Sequence, residues 1–281
     1  MFLCGIIRIP CHDGRGTLPK NTVIYYTDET KDEFSTAKIH ARVIDGSYPY
    51  NNETPSRRLG HAIWYRIIAR PLAFLYLRVR YHHRIVDCRS GAAPEGEGWF
   101  LYGNHTNAIA DALIPSRISY PTDAYVIVHP DNVSMPVLGR ITPSLGAIPL
   151  PDDGAAARNF VKAVQGEIER HLCVVLYPEA HIWPYYTKIR PFSDASFRYP
   201  ARAAAPVYCF TNTYQRRGKG NAVDIVTYLD GPFYADKNCS AKEQRAMLRD
   251  QVYERMVQRS SNNNVELIRY IKKDTDKESD L

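Results

Sequence analysis

From Trp99 onward the chain alternates short, wholly apolar runs with longer stretches whose apolar residues recur at helical spacing, and this alternation limits the folds open to it. Trp99-Phe100-Leu101-Tyr102, Ala124-Tyr125-Val126-Ile127-Val128, Cys173-Val174-Val175-Leu176-Tyr177, Val207-Tyr208-Cys209-Phe210 and Asp224 to Leu229 read as strands. Runs without a polar face suit strands that are covered on both sides, as in parallel sheets. Between them, Asp111 to about Arg117 and Gly154 to Arg170 read as helices, the second with Phe160, Val161, Val164 and Ile168 along one face. Ser240 and Glu243 make a capping box for a further helix bearing Leu248, Val252 and Met256. The fold class predicted is α/β, a mixed and largely parallel sheet flanked by helices, with an N-terminal helical or irregular appendage.

A chain of 281 residues, 44% of them apolar, has material for one large domain. The expected organisation is an appendage at 1–56, a basic amphipathic helical segment at 57–88, the α/β domain at 89–271 and a charged tail at 272–281. Within the appendage Val23-Ile24-Tyr25-Tyr26 reads as a strand, and residues 47–52 are rich in turn formers. Six scattered cysteines, without metal-site or redox spacing, suit reduced thiols in a cytoplasmic protein. The apolar opening Met1 to Ile7 is interrupted by Arg8, Pro10 and His12 before it reaches the length of a secretory signal. No run approaches the roughly 18 apolar residues of a spanning helix.

The net charge of +6 is concentrated. Between Arg57 and Val86 stand seven arginines and no acid, interleaved with Ile63, Trp64, Ile67, Ile68, Leu72, Phe74, Leu75, Leu77 and Val79. Apolar bulk, an interfacial tryptophan and purely positive charge are what a helix lying on an anionic membrane surface needs. The expected membrane contacts are Trp64, Arg66, Arg70 and Arg78, with Pro71 kinking or dividing the segment. A helix packed on the protein's own core with a solvated arginine edge is the alternative. No recognition helix or RNA-binding signature accompanies the charge, so nucleic acid is not expected as a partner.

Two strand exits carry groups able to do chemistry. Trp99–Tyr102 runs into Asn104 and His105, with Asp111 following; Cys173–Tyr177 runs into Pro178, Glu179, Ala180 and His181. A histidine with a carboxylate neighbour can act as general base toward a hydroxyl, the carboxylate fixing the ring tautomer and stabilising the imidazolium. Glu179 and His181 alone do not make a metal site, because His82, His83 and His129 are not spaced to join them. Trp183, Tyr185 and Tyr186 read as a pocket wall or as interfacial aromatics.

The succession Asn104-His105 and Asp111, then Gly146-Ala147-Ile148-Pro149-Leu150, then Tyr177-Pro178-Glu179, then Ala205-Pro206-Val207 resembles the blocks of the glycerolipid acyltransferase family, the family of bacterial 1-acylglycerol-3-phosphate acyltransferases. The resemblance covers roughly residues 60–230, and Phe192 to Phe197 is similar to the family's segment after the glutamate block. It implies transfer of a fatty acyl chain from acyl-CoA or acyl-carrier protein to a lysolipid hydroxyl, 1-acylglycerol-3-phosphate in the first instance. His105 would be the base, Asp111 its orienting carboxylate and Glu179 a positioner of the acceptor, with Asn104 supporting the loop. No metal and no bound cofactor is implied. The implied place of work is the cytoplasmic face of the cell membrane, with the basic segment as the docking element.

Three departures stand out. Five residues separate His105 from Asp111 where the family has four. A regular helix turns about 100° per residue, so either His105 lies before the helix or a bulge absorbs the extra residue, and Asn107 could share the orienting role. Asp152 stands where the family has a phosphate-binding arginine, and Ala180-His181 replaces the Gly-Thr-Arg that follows the glutamate. Lys188 and Arg190, or Arg140 and Arg158, could supply the missing cations. Otherwise the acceptor is a glycolipid or another lysolipid without a terminal phosphate, or the chain is a catalytically weak lipid-binding member.

Overall fold

The computed structural model describes residues 22–34, 40–50, 54–91, 96–136 and 138–273. The apolar opening, Cys4, Cys11 and the tail beyond Lys273 lie outside them. The strands are β1 (Thr22–Tyr26), β2 (Arg84–Asp87), β3 (Trp99–Gly103), β4 (Ala124–Val128), β5 (Ala147–Pro149), β6 (Cys173–Leu176), β7 (Val207–Arg216), β8 (Val223–Phe233) and β9 (Ile268–Lys272). The helices are α1 (Pro55–His61), α2 (Arg70–Tyr81), α3 (Ala110–Ile118), α4 (Leu138–Ile141), α5 (Gly154–Glu169), α6 (Arg198–Ala203) and α7 (Ala241–Ser260).

Seven strands form one sheet in the order β2-β8-β7-β3-β6-β4-β5, and β1 and β9 form a separate parallel pair. Within the large sheet only β7 and β8 run antiparallel; every other neighbouring pair is parallel. The fold is therefore α/β with a mixed, largely parallel sheet. β3 lies between β7 and β6, and its alternating residues serve two cores. Phe100 and Tyr102 pack with Phe160 and Val164 of α5 and with Leu248, Val252 and Met256 of α7. Trp99 and Leu101 pack on the opposite face with Leu77 and Tyr81 of α2 and Ile114 and Ile118 of α3. Each such fully buried side chain contributes roughly 1.5–3 kcal/mol, so both faces stabilise the strand from which His105 emerges.

The basic segment is one continuous helical run in which Ala62–Ala69 is wound as a π-helix between α1 and α2. The Arg70 amide donates to the Tyr65 carbonyl five residues back, and Pro71, next in the chain, has no N–H to offer. The division expected at Pro71 is thus a change of winding. Tyr65, Ala73, Leu77 and Tyr81 face inward at near four-residue spacing. Leu59, Ile63, Trp64, Ile67, Leu72, Leu75 and Val79 face outward, with Ile67 68% and Val79 64% exposed. No described helix is long and apolar enough to cross a membrane.

Two expectations need correction here. The helical run stops at Tyr81, where His82 takes a left-handed conformation, so Arg84–Asp87 belongs to the sheet as its edge strand beside β8. Arg70 does not face outward. It is buried, donating to Asp123 Oδ1 at 2.9 Å and to the carbonyls of Pro121 and Thr122, because an inward-facing guanidinium needs a carboxylate partner. Arg66 also pairs with Asp123, at 2.7 Å, although its side chain is 59% exposed. Trp64 and Arg78 are exposed.

Asp123 collects a third partner, His61 Nε2 at 3.1 Å, and so ties the whole helical run to the entry of β4. Burial acts to raise its carboxyl, but hydrogen bonds and charge from His61 and Arg66 outweigh that and hold it at about 2. A depressed carboxylate stabilises the fold fully above its ordinary value of 3.8, and that contribution is lost as pH falls toward 2.

Residues 22–34 and 40–50 lie against the domain. Asp152 Oδ2 accepts the Ile44 amide at 2.7 Å and the Asp152 amide returns a bond to the Ile44 carbonyl, while the Trp183 indole donates to the Asp32 carbonyl at 2.9 Å. The tie at Asp123 generates a direct expectation. Asp123→Asn, by leaving Arg70 buried without a counter-charge, should cost about 3 kcal/mol in urea unfolding at pH 7, and the gap to wild type should narrow toward pH 2. Equal stability at pH 7 would contradict this reading.

Candidate active site

β3 can end where it does because of Gly103: a Cβ there would stand 2.2 Å from the Phe210 ring of β7, so only glycine admits that ring. Beyond it, Asn104 continues the pairing with side-chain atoms. Its Nδ2 donates to the Asn212 carbonyl at 3.1 Å, and its Oδ1 accepts the Asn212 amide at 2.8 Å. The amide group of Asn104 thus substitutes for one more rung of strand ladder. Its role is to hold the loop.

His105 follows, before the helix. Thr106 and Asn107 are irregular, Ala108 and Ile109 make a turn and α3 begins at Ala110, so the extra residue of the His–Asp spacing is taken up outside regular helix. The result is a hydrogen bond of 2.9 Å between His105 Nδ1 and Asp111 Oδ2. The same Oδ2 accepts the amides of Thr106 and Asn107, each at 2.8 Å, and Oδ1 accepts Asn212 Nδ2 at 3.0 Å. A fully buried carboxyl surrounded by N–H donors acts as an acceptor only, which makes His105 Nδ1 the protonated nitrogen and leaves the Nε2 lone pair free. Among the described residues no group bonds to Nε2, and the His105 side chain keeps 18% exposure.

Asn107 does not orient the ring. Its Oδ1 accepts the amides of Ile109 and Ala110 at the entry of α3, and is therefore spent on the helix. Tyr177, at the exit of β6, was not picked out from the sequence. Its ring stacks on the imidazole with centroids 4.4 Å apart, and its hydroxyl donates to the Asp111 carbonyl. That carbonyl is available because Pro115, four residues on, has no N–H to give it. Burial, and then the Asp111 charge, push the Tyr177 phenol well up, so it stays a donor.

Glu179 sits beneath the same loop rather than in an open cleft. Its Oε2 accepts the His105 amide at 3.0 Å and its Oε1 the Arg190 amide at 2.9 Å. Burial raises its carboxyl, against the opposing Arg190 charge and those two amides. The expectation that Glu179 positions an acceptor is therefore corrected: both oxygens are committed to backbone, and its effect is to fix where His105 stands. Arg190 needs the same correction. It is 1% exposed, lies 3.6 Å from Glu179, bonds to the carbonyls of Glu29 and His181, and covers the Trp183 ring at 4.9 Å. Trp183 is fully buried among Tyr26, Phe34, Tyr186 and Tyr270, so these aromatics form a small core and Trp183 is not an interfacial anchor. Tyr185 donates its amide to the Thr106 carbonyl at 2.8 Å, a further hold on the loop.

Of the remaining cations Lys188, Arg140 and Arg158 are exposed. Asp152 is committed to the segment around Ile44, whose amide it accepts. Asn212 was also missed. The local signal is the polar run Thr211-Asn212-Thr213 directly after the apolar Val207–Phe210, and all three residues are buried.

The fold and the site together define an α/β domain with a histidine–carboxylate dyad at the exit of a central parallel strand, on the side where such sheets gather their chemistry. No family model and no curated protein matches the chain. Among solved structures it is similar to the 1-acyl-sn-glycerophosphate (LPA) acyltransferase PlsC from Thermotoga maritima, at 13% identity and a TM-score of 0.47 over 72% of this chain and 79% of that one.

Proposed function

We propose that this protein is an O-acyltransferase that moves a fatty acyl chain from a thioester carrier, acyl-CoA or acyl-carrier protein, to the hydroxyl of a lipid acceptor. The observation that carries the reading is the 2.9 Å bond from His105 Nδ1 to Asp111, with Nε2 left free. The ordered blocks around Asn104-His105, Gly146–Leu150, Tyr177-Pro178-Glu179 and Ala205–Val207 supply the reaction class.

His105 Nε2 takes the proton of the acceptor hydroxyl as its oxygen attacks the thioester carbonyl. A C–O bond forms, the oxyanion collapses and the C–S bond breaks. The imidazolium, stabilised by Asp111, returns its proton to the departing thiolate, so the enzyme ends as it began. Base catalysis of this kind contributes about 10²–10⁴ in rate, and proximity of the two substrates supplies much of the rest. A dyad this well built favours an enzyme over a lipid-binding member without efficient chemistry.

The acceptor reading is sharpened by Arg190 and Asp152. Asp152 and the Ala180-His181 stretch leave both family cation positions without a cation, and Arg190, which could have substituted, is locked against Glu179, so none of these places offers a phosphate ligand. This favours a lysolipid or glycolipid hydroxyl without a terminal phosphate over 1-acylglycerol-3-phosphate. The outward apolar stripe of the helical run, with Arg58 and Arg78 exposed and no acid between Arg57 and Val86, suits docking on an anionic membrane surface. The inner face of the cell membrane would supply such a surface.

Thiol release from acyl-CoA and from acyl-carrier protein should depend on the acceptor in a panel of lysophosphatidate, lysolipids with capped phosphates and glycolipids, with the last two preferred. His105→Ala should lower kcat/KM by about 10³ while the protein stays folded; release that survives the change would sink the mechanism. In sedimentation with vesicles containing phosphatidylglycerol, the double change Ile67→Glu and Val79→Glu should abolish binding. Unchanged sedimentation would remove the docking role.

A further inference from the structure

The Asp111 carboxylate stands at one end of a hydrogen-bonded chain that continues through the sheet. Asn212 Nδ2 donates to Asp111 Oδ1 at 3.0 Å, and Thr227 Oγ1 lies 2.6 Å from Asn212 Oδ1 across the β7–β8 pair, where the two residues face each other in register. His83 Nε2 lies 2.8 Å from Thr227 Oγ1, and Arg117 Nη1 lies 3.1 Å from His83 Nδ1. Asp111, Asn212, Thr227 and His83 are all buried. Asp111 and Arg117 occupy the first and last turns of α3, so the chain closes into a ring that joins both ends of that helix to β7, β8 and the entry of β2.

Donor and acceptor capacity leave this ring one orientation. A guanidinium only donates, so His83 Nδ1 accepts and its proton sits on Nε2. That proton goes to Thr227 Oγ1, whose own proton goes to Asn212 Oδ1. The Asn212 amide must then present Nδ2 to Asp111, and Asp111 Oδ1 must accept. A proton on Asp111 would meet donors on both of its oxygens. Burial, and then the Arg117 charge, push the His83 imidazole down to about 3, which agrees with a neutral ring in this place.

We propose that Asn212, Thr227, His83 and Arg117 form a positioning relay for the dyad, keeping Asp111 an acceptor on both oxygens and His105 in the tautomer with its free lone pair on Nε2. None of the four touches His105, and the effect on rate rests on the base role proposed for that residue. The same ring connects the dyad to the docking helix: Arg117 lies 5.7 Å over the Phe74 ring of α2 and donates to the His83 carbonyl just beyond that helix.

The test uses the full chain labelled with ¹⁵N at its histidine rings. In wild type near pH 7, NMR should report His83 neutral with its proton on Nε2 and His105 with its proton on Nδ1. A proton on His83 Nδ1, or a charged His83 ring, would overturn the relay without any variant being made. Thr227→Val should alter the His105 ring signals and lower kcat roughly tenfold to a hundredfold at unchanged KM, and Thr227→Ser should restore most of that loss. Wild-type kcat and unaltered His105 signals in Thr227→Val would also overturn it. If wild type transfers no acyl chain to any acceptor, the functional reading fails, while the ring assignments still decide the relay.

Discussion

The carboxylate of Asp111 is the fixed point of the molecule. Fully buried, it accepts bonds from the His105 ring, two loop amides and the Asn212 side chain. A buried charge of this kind is tolerable only when its lone pairs are filled by donors, and filling them is what gives the loop after β3 its shape. The two amides wrap residues 106–107 around the carboxylate before α3 starts, and that wrap brings a histidine six positions earlier into contact. The spacing that would misdirect two residues on one regular helix therefore does no harm here, since only Asp111 is on the helix.

Around this point the structure spends its polar residues on holding rather than on reaching outward. Asn104 replaces a rung of ladder, Asn107 serves the start of α3, and Glu179 clamps the amides of His105 and Arg190 from below. Arg190 is balanced by Glu179 and covers Trp183 within a small core completed by β1 and β9. Several side chains that could have met a substrate instead make the position of one imidazole rigid. In the proposed reaction, preorganisation of this sort would let a single base contribute most of its possible rate effect.

Much of this could be read from the residues alone, for definite reasons. β3, β4 and β6 are legible because both of their faces are covered, so each is an unbroken apolar run; α5 is legible from one apolar stripe and α7 from a serine cap followed by another. The edge strands β2, β5 and β9 escape notice because three to five residues carry too little pattern, and what makes them strands is a partner far away in the chain. His82 hides the end of the basic helix, since nothing local announces a left-handed histidine. At the site, His105 and Asp111 were legible as a pair at a strand exit. The inward turn of Arg70 was not, because it depends on Asp123, fifty-three residues away. Arg190 was misjudged for the same reason: a cation beside a strand exit reads as a ligand for substrate until its own carboxylate is seen.

The claim that the dyad is the working group is tested most directly at Asp111. In Asp111→Asn the amide cannot accept on both sides, so it must either face the His105 ring with a donor or oppose Asn212 with one. In this variant kcat/KM for thioester-dependent acyl transfer should fall more than about a hundredfold while vesicle binding is kept, as expected when a histidine loses the partner that sets its tautomer. Transfer by a folded Asp111→Asn protein at close to the wild-type rate would contradict it.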